Sequence, residues 1–419
     1  MNYSILDYLF IYSLASIWVL LLMNIILSLS GYSYYKCAEK IKLNKMPSND
    51  YPFVSIIVPA HNEEKVIEKT VKSLLLLDYP KNKMEIIVVN DNSQDNTATL
   101  LENLKREYDM DNLKIINTDN ITGGKGKSNA LNIGFNHSVG ELIAIYDADN
   151  TPNKLALKYL VQTIKKDENL GAVIGKFRTR NKERNLLTKF INIETLSFQW
   201  MAQAGRWQLF NLCTIPGTNF IIRRDIIKEI GGWDIKAIAE DTEISFRIYK
   251  LGYKIKFMPL AVTWEQEPES LKVWFKQRTR WVKGNIYVLL KHMKNIGNKE
   301  HKSILFDIVY FFTVYFLFLS SVIISDFIFI TSLFSDLQIN VLGNFLVLWI
   351  LAYLLFILEV GLTLTLEKGE SNFKNIALIP IMYFTYCQMW MIVSIKGMFQ
   401  YFFDNLFKRE VKWYKTERF

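Results

Sequence analysis

From Leu9 to about Ser30 the chain is apolar but for a few Ser, Tyr and Asn. Such a run is long enough, as a helix, to cross a hydrocarbon core of ~30 Å, so the pattern predicts a transmembrane anchor. A cleaved signal peptide is the rival reading. It would carry Lys or Arg ahead of the run, whereas none precedes it and Lys36, Lys40, Lys42 and Lys45 follow. That asymmetry places the C-terminal side of the anchor in the cytoplasm.

From Pro52 to about Trp264 short apolar runs alternate with longer amphipathic ones. Phe53 to Pro59, Glu85 to Asn90, Leu113 to Asn117 and Glu141 to Asp147 read as buried strands, and Glu63 to Leu77 and Thr97 to Tyr108 as helices. Strand and helix in repetition predict an α/β domain with a mostly parallel sheet, helices on both faces and right-handed crossovers. Ligands of such sheets bind at the carboxyl ends of the strands.

Apolar runs return at Ile304 to Phe334, Val341 to Leu366 and Ile376 to Phe403. Each is long enough to span, and Phe311 to Ile324 has almost no polar face. Three full crossings would leave Lys408, Arg409, Lys412, Lys415 and Arg418 outside, against the positive-inside bias. The third run, with Pro380, Gln388 and Lys396, is therefore expected to break into a re-entrant or hairpin element, which leaves the C-terminus cytoplasmic. Between domain and spans, Pro268 to Lys294 mixes Trp274, Phe275 and Trp281 with Lys272, Lys276, Arg278, Arg280 and Lys283, a pattern suited to a helix in the bilayer interface. The expected division is an anchor at 1–35, a cytoplasmic domain at 36–267, interfacial helices at 268–302, a transmembrane and re-entrant region at 303–403 and a basic tail at 404–419.

Composition sharpens this picture in two ways. Half of the 419 residues are hydrophobic and mean hydropathy is +0.09, too apolar for an ordinary soluble enzyme. Cys37, Cys213 and Cys387 lie far apart and the four histidines form no close pair, which disfavours a disulfide scaffold and a structural zinc site. The net charge of +9 suits a membrane surface and a phosphate-bearing substrate equally.

Several segments could carry chemistry. Asp147-Ala148-Asp149 follows a buried strand, where two carboxylates can share a hard divalent cation with a diphosphate; the alternative is an ordinary polar turn. Gly123-Gly124-Lys125-Gly126-Lys127-Ser128 fails as a phosphate loop, because Ile121 stands where a Walker loop needs Gly and Asn129 where a dinucleotide fingerprint needs it. A basic loop reaching an anionic leaving group and a solvated turn both stay open. Glu240-Asp241 precedes an amphipathic helix, Glu243 to Leu251, and reads as a helix cap or as a general base. Gln277-Arg278-Thr279-Arg280-Trp281, taken alone, is part of the interfacial helix.

The order of the pieces resembles the membrane-embedded family-two glycosyltransferases, which include cellulose, hyaluronan and poly-N-acetylglucosamine synthases. The resemblance runs from Val54 to about Asn285. It is carried by Val58-Pro59-Ala60-His61-Asn62-Glu63-Glu64, Asn90-Asp91-Asn92-Ser93, Gly126 to Asn132, Asp147-Ala148-Asp149, Gly217-Thr218-Asn219, Glu240-Asp241 and Gln-x-x-Arg-Trp at 277–281. His61 departs from the more usual tyrosine or cysteine.

The resemblance implies a glycosyltransferase-A-like fold between transmembrane helices, in a bacterial cell membrane. It implies donor contacts from Pro59, Glu63, Asp91, Lys127, Asp147, Gln277 and Arg280. Asp149, with Asp147, would hold Mg²⁺ or Mn²⁺; Asp241 would be the base. Glu240, Gly217, Thr218 and Trp281 would meet the acceptor. Expected partners are a UDP-sugar, a growing polysaccharide, the lipid bilayer and a small accessory membrane subunit, with no nucleic acid. One base and no nucleophilic carboxylate in the motif set imply inversion. The leading expectation is a processive synthase of a β-linked exopolysaccharide. A non-processive transferase acting on a lipid acceptor is the alternative, and a transporter with a degenerate nucleotide domain would require loss of Asp147, Asp149 and Asp241, all of which are present.

Overall fold

The computed structural model describes residues 4–44, 46–108, 112–293, 305–332, 334–335, 339–341 and 345–407. An eight-stranded sheet runs in the order β3-β2-β1-β4-β7-β6-β8-β5. Its strands are β1 (Val54–Ala60), β2 (Met84–Asn90), β3 (Leu113–Asn117), β4 (Leu142–Ile145), β5 (Thr151–Pro152), β6 (Leu170–Thr179), β7 (Phe220–Arg223) and β8 (Lys254–Glu265). The expected parallel sheet is present: β1 to β4 are mutually parallel, with Ile56 facing both Ile86 and Ala144. The antiparallel entry of β7 between β4 and β6 was not foreseen.

Helices α2 (Ile67–Leu75), α3 (Thr97–Tyr108), α4 (Lys127–Asn136), α5 (Ala156–Lys165), α6 (Leu186–Ser197), α7 (Arg206–Phe210), α8 (Arg224–Ile230) and α9 (Glu240–Lys250) flank or extend the sheet. Because side chains alternate along a strand, Ile57, Ile87 and Ile145 pack on one face with α4, while Ile56, Ile86 and Ala144 pack on the other with α2 and α5. The sheet is thus covered on both sides, which explains its continuous apolar strands.

Helix α1 (Ile5–Ala38) is the N-terminal apolar helix, and α10 (Leu271–Met293) follows the sheet. Helices α11 (Leu305–Phe312) and α12 (Leu319–Ser332) are joined by a π-helical stretch, Thr313–Phe318. Helix α13 (Phe345–Thr365) precedes α14 (Phe373–Phe384) and α15 (Tyr386–Leu406). Ile5–Ala38, Leu305–Ser332 and Val347–Thr365 are long and apolar enough to cross a membrane, while α14 and α15 meet at a bend of 43°. That bend, at Thr385, is the break expected of the last apolar run.

Polar contacts give these helices a direction. The Tyr34 hydroxyl near the end of α1 donates to the Phe257 carbonyl of β8, whereas Asp7 near its start accepts from the backbone N–H of Asn340 at 2.7 Å. Asp307 of α11 pairs with Arg206 of α7. After α13, Glu367 pairs with Lys176 and accepts from the Trp200 indole, and Glu370 takes Arg178, Lys182 and Asn192. Asn375 of α14 donates to Glu370 at 3.1 Å, and Asp404 of α15 lies 2.5 Å from Lys283 of α10. The start of the bent pair therefore contacts the segment after α13 and its end contacts α10; the expected cytoplasmic basic C-terminus falls at residues 408–419, outside the described residues.

Candidate active site

The carboxyl ends of β1, β2 and β4 open toward the N-termini of α4 and α9. Lys127, at the start of α4, occupies the centre. Its Nζ lies 2.7 Å from Asp147 Oδ1 and 3.3 Å from Glu240 Oε1, and donates to the Gly217 carbonyl at 2.8 Å. One lysine thus joins three segments that are far apart in the chain.

Gly217 is required at its place. Its φ of +89° is poor for an L side chain, and a Cβ there would stand 2.9 Å from Asp241 Oδ2. Thr218 Oγ1 accepts from the Asp147 N–H at 2.9 Å and donates to Asn150 at 2.7 Å, which fixes the end of β4 against the 217–219 turn.

Glu240 and Asp241 lie in the first turn of α9, where the helix dipole favours negative charge. The expected helix began only at Glu243, so both acids belong to the helix itself. Burial raises the pKa of Asp241, Glu240 adds to the rise and Lys127 opposes it, with the balance at about 7. Burial alone would lower Lys127, yet Asp147 and Glu240 hold it above its ordinary range. Burial pushes Asp147 up against the pull of Lys127.

Asp149 is 3% exposed and its Oδ2 accepts from the Gln266 N–H at 3.3 Å. Among the described residues no group of three or more His, Cys, Asp or Glu forms a metal site. Two hard carboxylates at one strand end nevertheless fit Mg²⁺ or Mn²⁺, ions that take one or two carboxylates and complete their shell with phosphate oxygens and water.

Asp91 directly follows β2 and is buried; its Oδ1 accepts from Gly124 N–H at 2.8 Å and Thr118 Oγ1 at 3.1 Å. His61 Nδ1 lies 2.6 Å from the Asp91 carbonyl oxygen. Pro59 stands at the end of β1 beside Val89. Glu63 is buried and its N–H donates to Thr97 at 2.8 Å. Asn62 and Asn92 take positive φ at the turns leaving β1 and β2, a conformation in which Asn is the commonest residue after Gly.

Helix α10 supplies the remaining predicted residues. Gln277 is buried and accepts from Arg278 at 2.7 Å; Arg280 is half-buried; Trp281 is 40% exposed. Sequence reasoning missed Arg278, which is 1% exposed. Its guanidinium bonds Glu194 of α6 at 3.1 Å and approaches Glu267 at 3.9 Å. Since Gln266 holds Asp149, the 265–267 segment links α10 to the strand-end cluster. Asn285 of α10 accepts from Thr242 of α9 at 3.1 Å and donates to Tyr315 at 2.8 Å. Both residues were invisible as motifs: Arg278 fills a variable position of Gln-x-x-Arg-Trp, and Asn285 lies beyond that motif.

Residues 52–284 match the family described as glycosyltransferase like family 2. The chain is a family 2 glycosyltransferase. This transferase is 51% identical over 413 residues to the probable glycosyltransferase YdaM of Bacillus subtilis, with 98% of each chain covered. It is 34% identical over 265 residues to the poly-β-1,6-N-acetyl-D-glucosamine synthase of Staphylococcus aureus, covering 62% of each, so it matches less than two thirds of that synthase's length. A solved mannosyltransferase, PcManGT from Pyrobaculum calidifontis in complex with GDP-Man and Mn²⁺, aligns with 95% of the transferase and 100% of its own chain at a TM-score of 0.59. At 19% identity that likeness concerns the fold.

Proposed function

We propose that this transferase is a processive, inverting synthase that polymerises a UDP-sugar into a β-linked exopolysaccharide at the cytoplasmic face and passes the polymer through its own membrane region. The observation that carries the reading is Lys127, which draws Asp147, Glu240 and the Gly217 turn beside Asp241 into one site. The kinship with a synthase of poly-N-acetylglucosamine supports a UDP-N-acetylglucosamine donor; UDP-glucose is the second candidate.

In this mechanism Asp91, Pro59 and Glu63 line the nucleotide end of the donor, and Lys127, Gln277 and Arg280 face its diphosphate. An acceptor hydroxyl oxygen attacks the anomeric carbon from the side opposite the leaving group. The bond from that carbon to the diphosphate oxygen breaks, and its electron pair leaves with UDP. Asp241 takes the hydroxyl proton, a role suited to a carboxylate whose pKa lies near the working pH. Bound at Asp149 and Asp147, Mg²⁺ or Mn²⁺ would neutralise charge growing on the diphosphate. Glu240, Gly217 and Thr218 position the acceptor end.

Trp281 offers one ring face to the acceptor sugar, because Arg278 covers the other. Three crossings, by α1, α11–α12 and α13, with α14–α15 along the cytoplasmic surface, would put residue 407 on the catalytic side. The division into anchor, catalytic domain, interfacial helices and membrane region follows the same reading. An accessory subunit belongs to it as a further partner.

Membranes containing the chain, given one labelled UDP-sugar at a time, should make long polymer without an added soluble acceptor. Trp281→Ala should yield little or only short product, since stacking on an aromatic ring is worth about 1–3 kcal/mol by analogy with bases. A wild type that makes only a glycolipid of one or two sugars would refute the synthase reading in favour of transfer to a lipid acceptor.

A further inference from the structure

A groove of about 540 Å³ opens between the start of α6 and the start of α14, and none of the strand-end residues lines it. Arg184, Lys189 and Lys374 line it together with Leu186, Phe373 and Leu378. One acid, Glu183, shares the lining and already pairs with Lys189 at 3.3 Å. Arg184 pairs with Glu269 at 3.1 Å, but the arginine side chain is 70% exposed, and an ion pair so open to water holds its partner weakly. The groove therefore carries an excess of positive charge that can turn toward an anion.

Its apolar half is equally informative. Phe373 is 85% exposed and Leu186 51% exposed. Along α14 the exposed apolar residues Phe373, Ile376, Ile381 and Phe384 recur at helical spacing and form one stripe. Asn375 on the same helix donates to Glu370, so the stripe begins at the rim where α13 meets the catalytic domain. Cations at the head of an apolar stripe match an amphipathic anion: a phosphate at the groove and acyl chains along α14. A small soluble anion would gain nothing from Phe373 or Leu186.

We infer that this groove binds the phosphate headgroup of an anionic phospholipid, held by Arg184, Lys189 and Lys374 with its acyl chains against Leu186 and the Phe373 stripe. The inference rests on the reading that α14 lies at the cytoplasmic membrane surface. The test uses the full chain in neutral detergent, with retention of phosphatidylglycerol and phosphatidylcholine compared by native mass spectrometry. The wild type should retain phosphatidylglycerol at least tenfold better. Joint substitution Arg184→Gln, Lys189→Gln and Lys374→Gln should abolish the preference. Lys105→Gln, Arg106→Gln and Lys228→Gln, which remove the same charge from exposed positions elsewhere, should leave it intact.

Leu186→Ser with Phe373→Ser should weaken retention at unchanged charge, and a UDP-binding measurement on each variant verifies folding. Equal retention of the two lipids by the wild type, or equal loss in the two triple variants, overturns the inference. Displacement of the lipid by millimolar inorganic phosphate overturns it too, because the groove would then be a free-phosphate site. Alkaline carbonate extraction separates the two levels: a chain washed off membranes sinks the membrane reading, whereas an integral chain without lipid preference sinks only the headgroup site.

Discussion

The guanidinium carbon of Arg278 lies 3.9 Å from the centre of the Trp281 ring, one helical turn further along α10. The same guanidinium bonds Glu194 and faces Glu267, so ring orientation and loop position depend on one buried cation. Arg278→Lys keeps the charge and loses the planar face that stacks; it should fold and make shortened product. Arg278→Leu leaves the buried Glu267 and the partly buried Glu194 without their cation and should cost about 3–5 kcal/mol of stability. Thermal unfolding in detergent with product sizing tests both, and wild-type polymer length from the Lys variant would contradict the role.

A pH dependence follows from Asp241 as the proposed base. Its pKa, raised to about 7, means that the ionised base is lost as pH falls through 7 and is complete above it. A profile of kcat/KM should therefore rise through about pH 7 and level off. Lys127→Met removes the cation that opposes the rise, so the acid limb should move to higher pH, by about one unit or more. A limb that stays in place would separate Asp241 from the rate.

Asp241→Asn should lower transfer by roughly 10² to 10⁴-fold while leaving UDP affinity nearly unchanged, as read by isothermal calorimetry. A collapse of UDP affinity would mark Asp241 as a donor ligand.

Asp149→Ala, or EDTA, should remove most activity, because the diphosphate charge would go uncompensated by several kcal/mol. Restoration by Mg²⁺ or Mn²⁺ in the wild type and not in the variant is the expected pattern. Full activity in EDTA would end the metal assignment.

The crossing of α1 with the π-helical stretch Phe198–Gly205 tests packing apart from chemistry. A Cβ on Gly31 would stand 2.0 Å from the Trp200 carbonyl oxygen, and one on Gly205 would stand 2.2 Å from that of Leu27. Gly205→Leu should lower the melting temperature, costing about 1–3 kcal/mol or more through overpacking. An unchanged melting curve would show that the crossing adapts.

Much of this architecture is legible from local patterns, and the exceptions have physical causes. Leu113–Asn117 and Thr97–Tyr108 begin and end where periodicity places them, since a buried strand and an amphipathic helix announce themselves within a few residues. Strand β5 is only Thr151–Pro152, and the four residues of β7, Phe220–Arg223, run straight into α8, so neither leaves a pattern of its own. Motif order singled out Lys127, Asp147, Asp149 and Asp241; the fold pairs Lys127 with Asp147 and sets Gly217, to which Lys127 donates, beside Asp241. Arg278 was hidden because its meaning lies in Glu194, 84 positions away.

The pairs Arg206–Asp307, Lys176–Glu367 and Arg178–Glu370 each join a charge of the α/β domain to an opposite charge in the segments that follow it. A cut at residue 267 would divide all three and leave unneutralised ions on a newly bared surface. The catalytic part is therefore no detachable module on a generic tether. Grafted to a foreign anchor, it would lose Asp307, Glu367 and Glu370, the partners of Arg206, Lys176 and Arg178, so an exchange of anchors would have to carry these acids along.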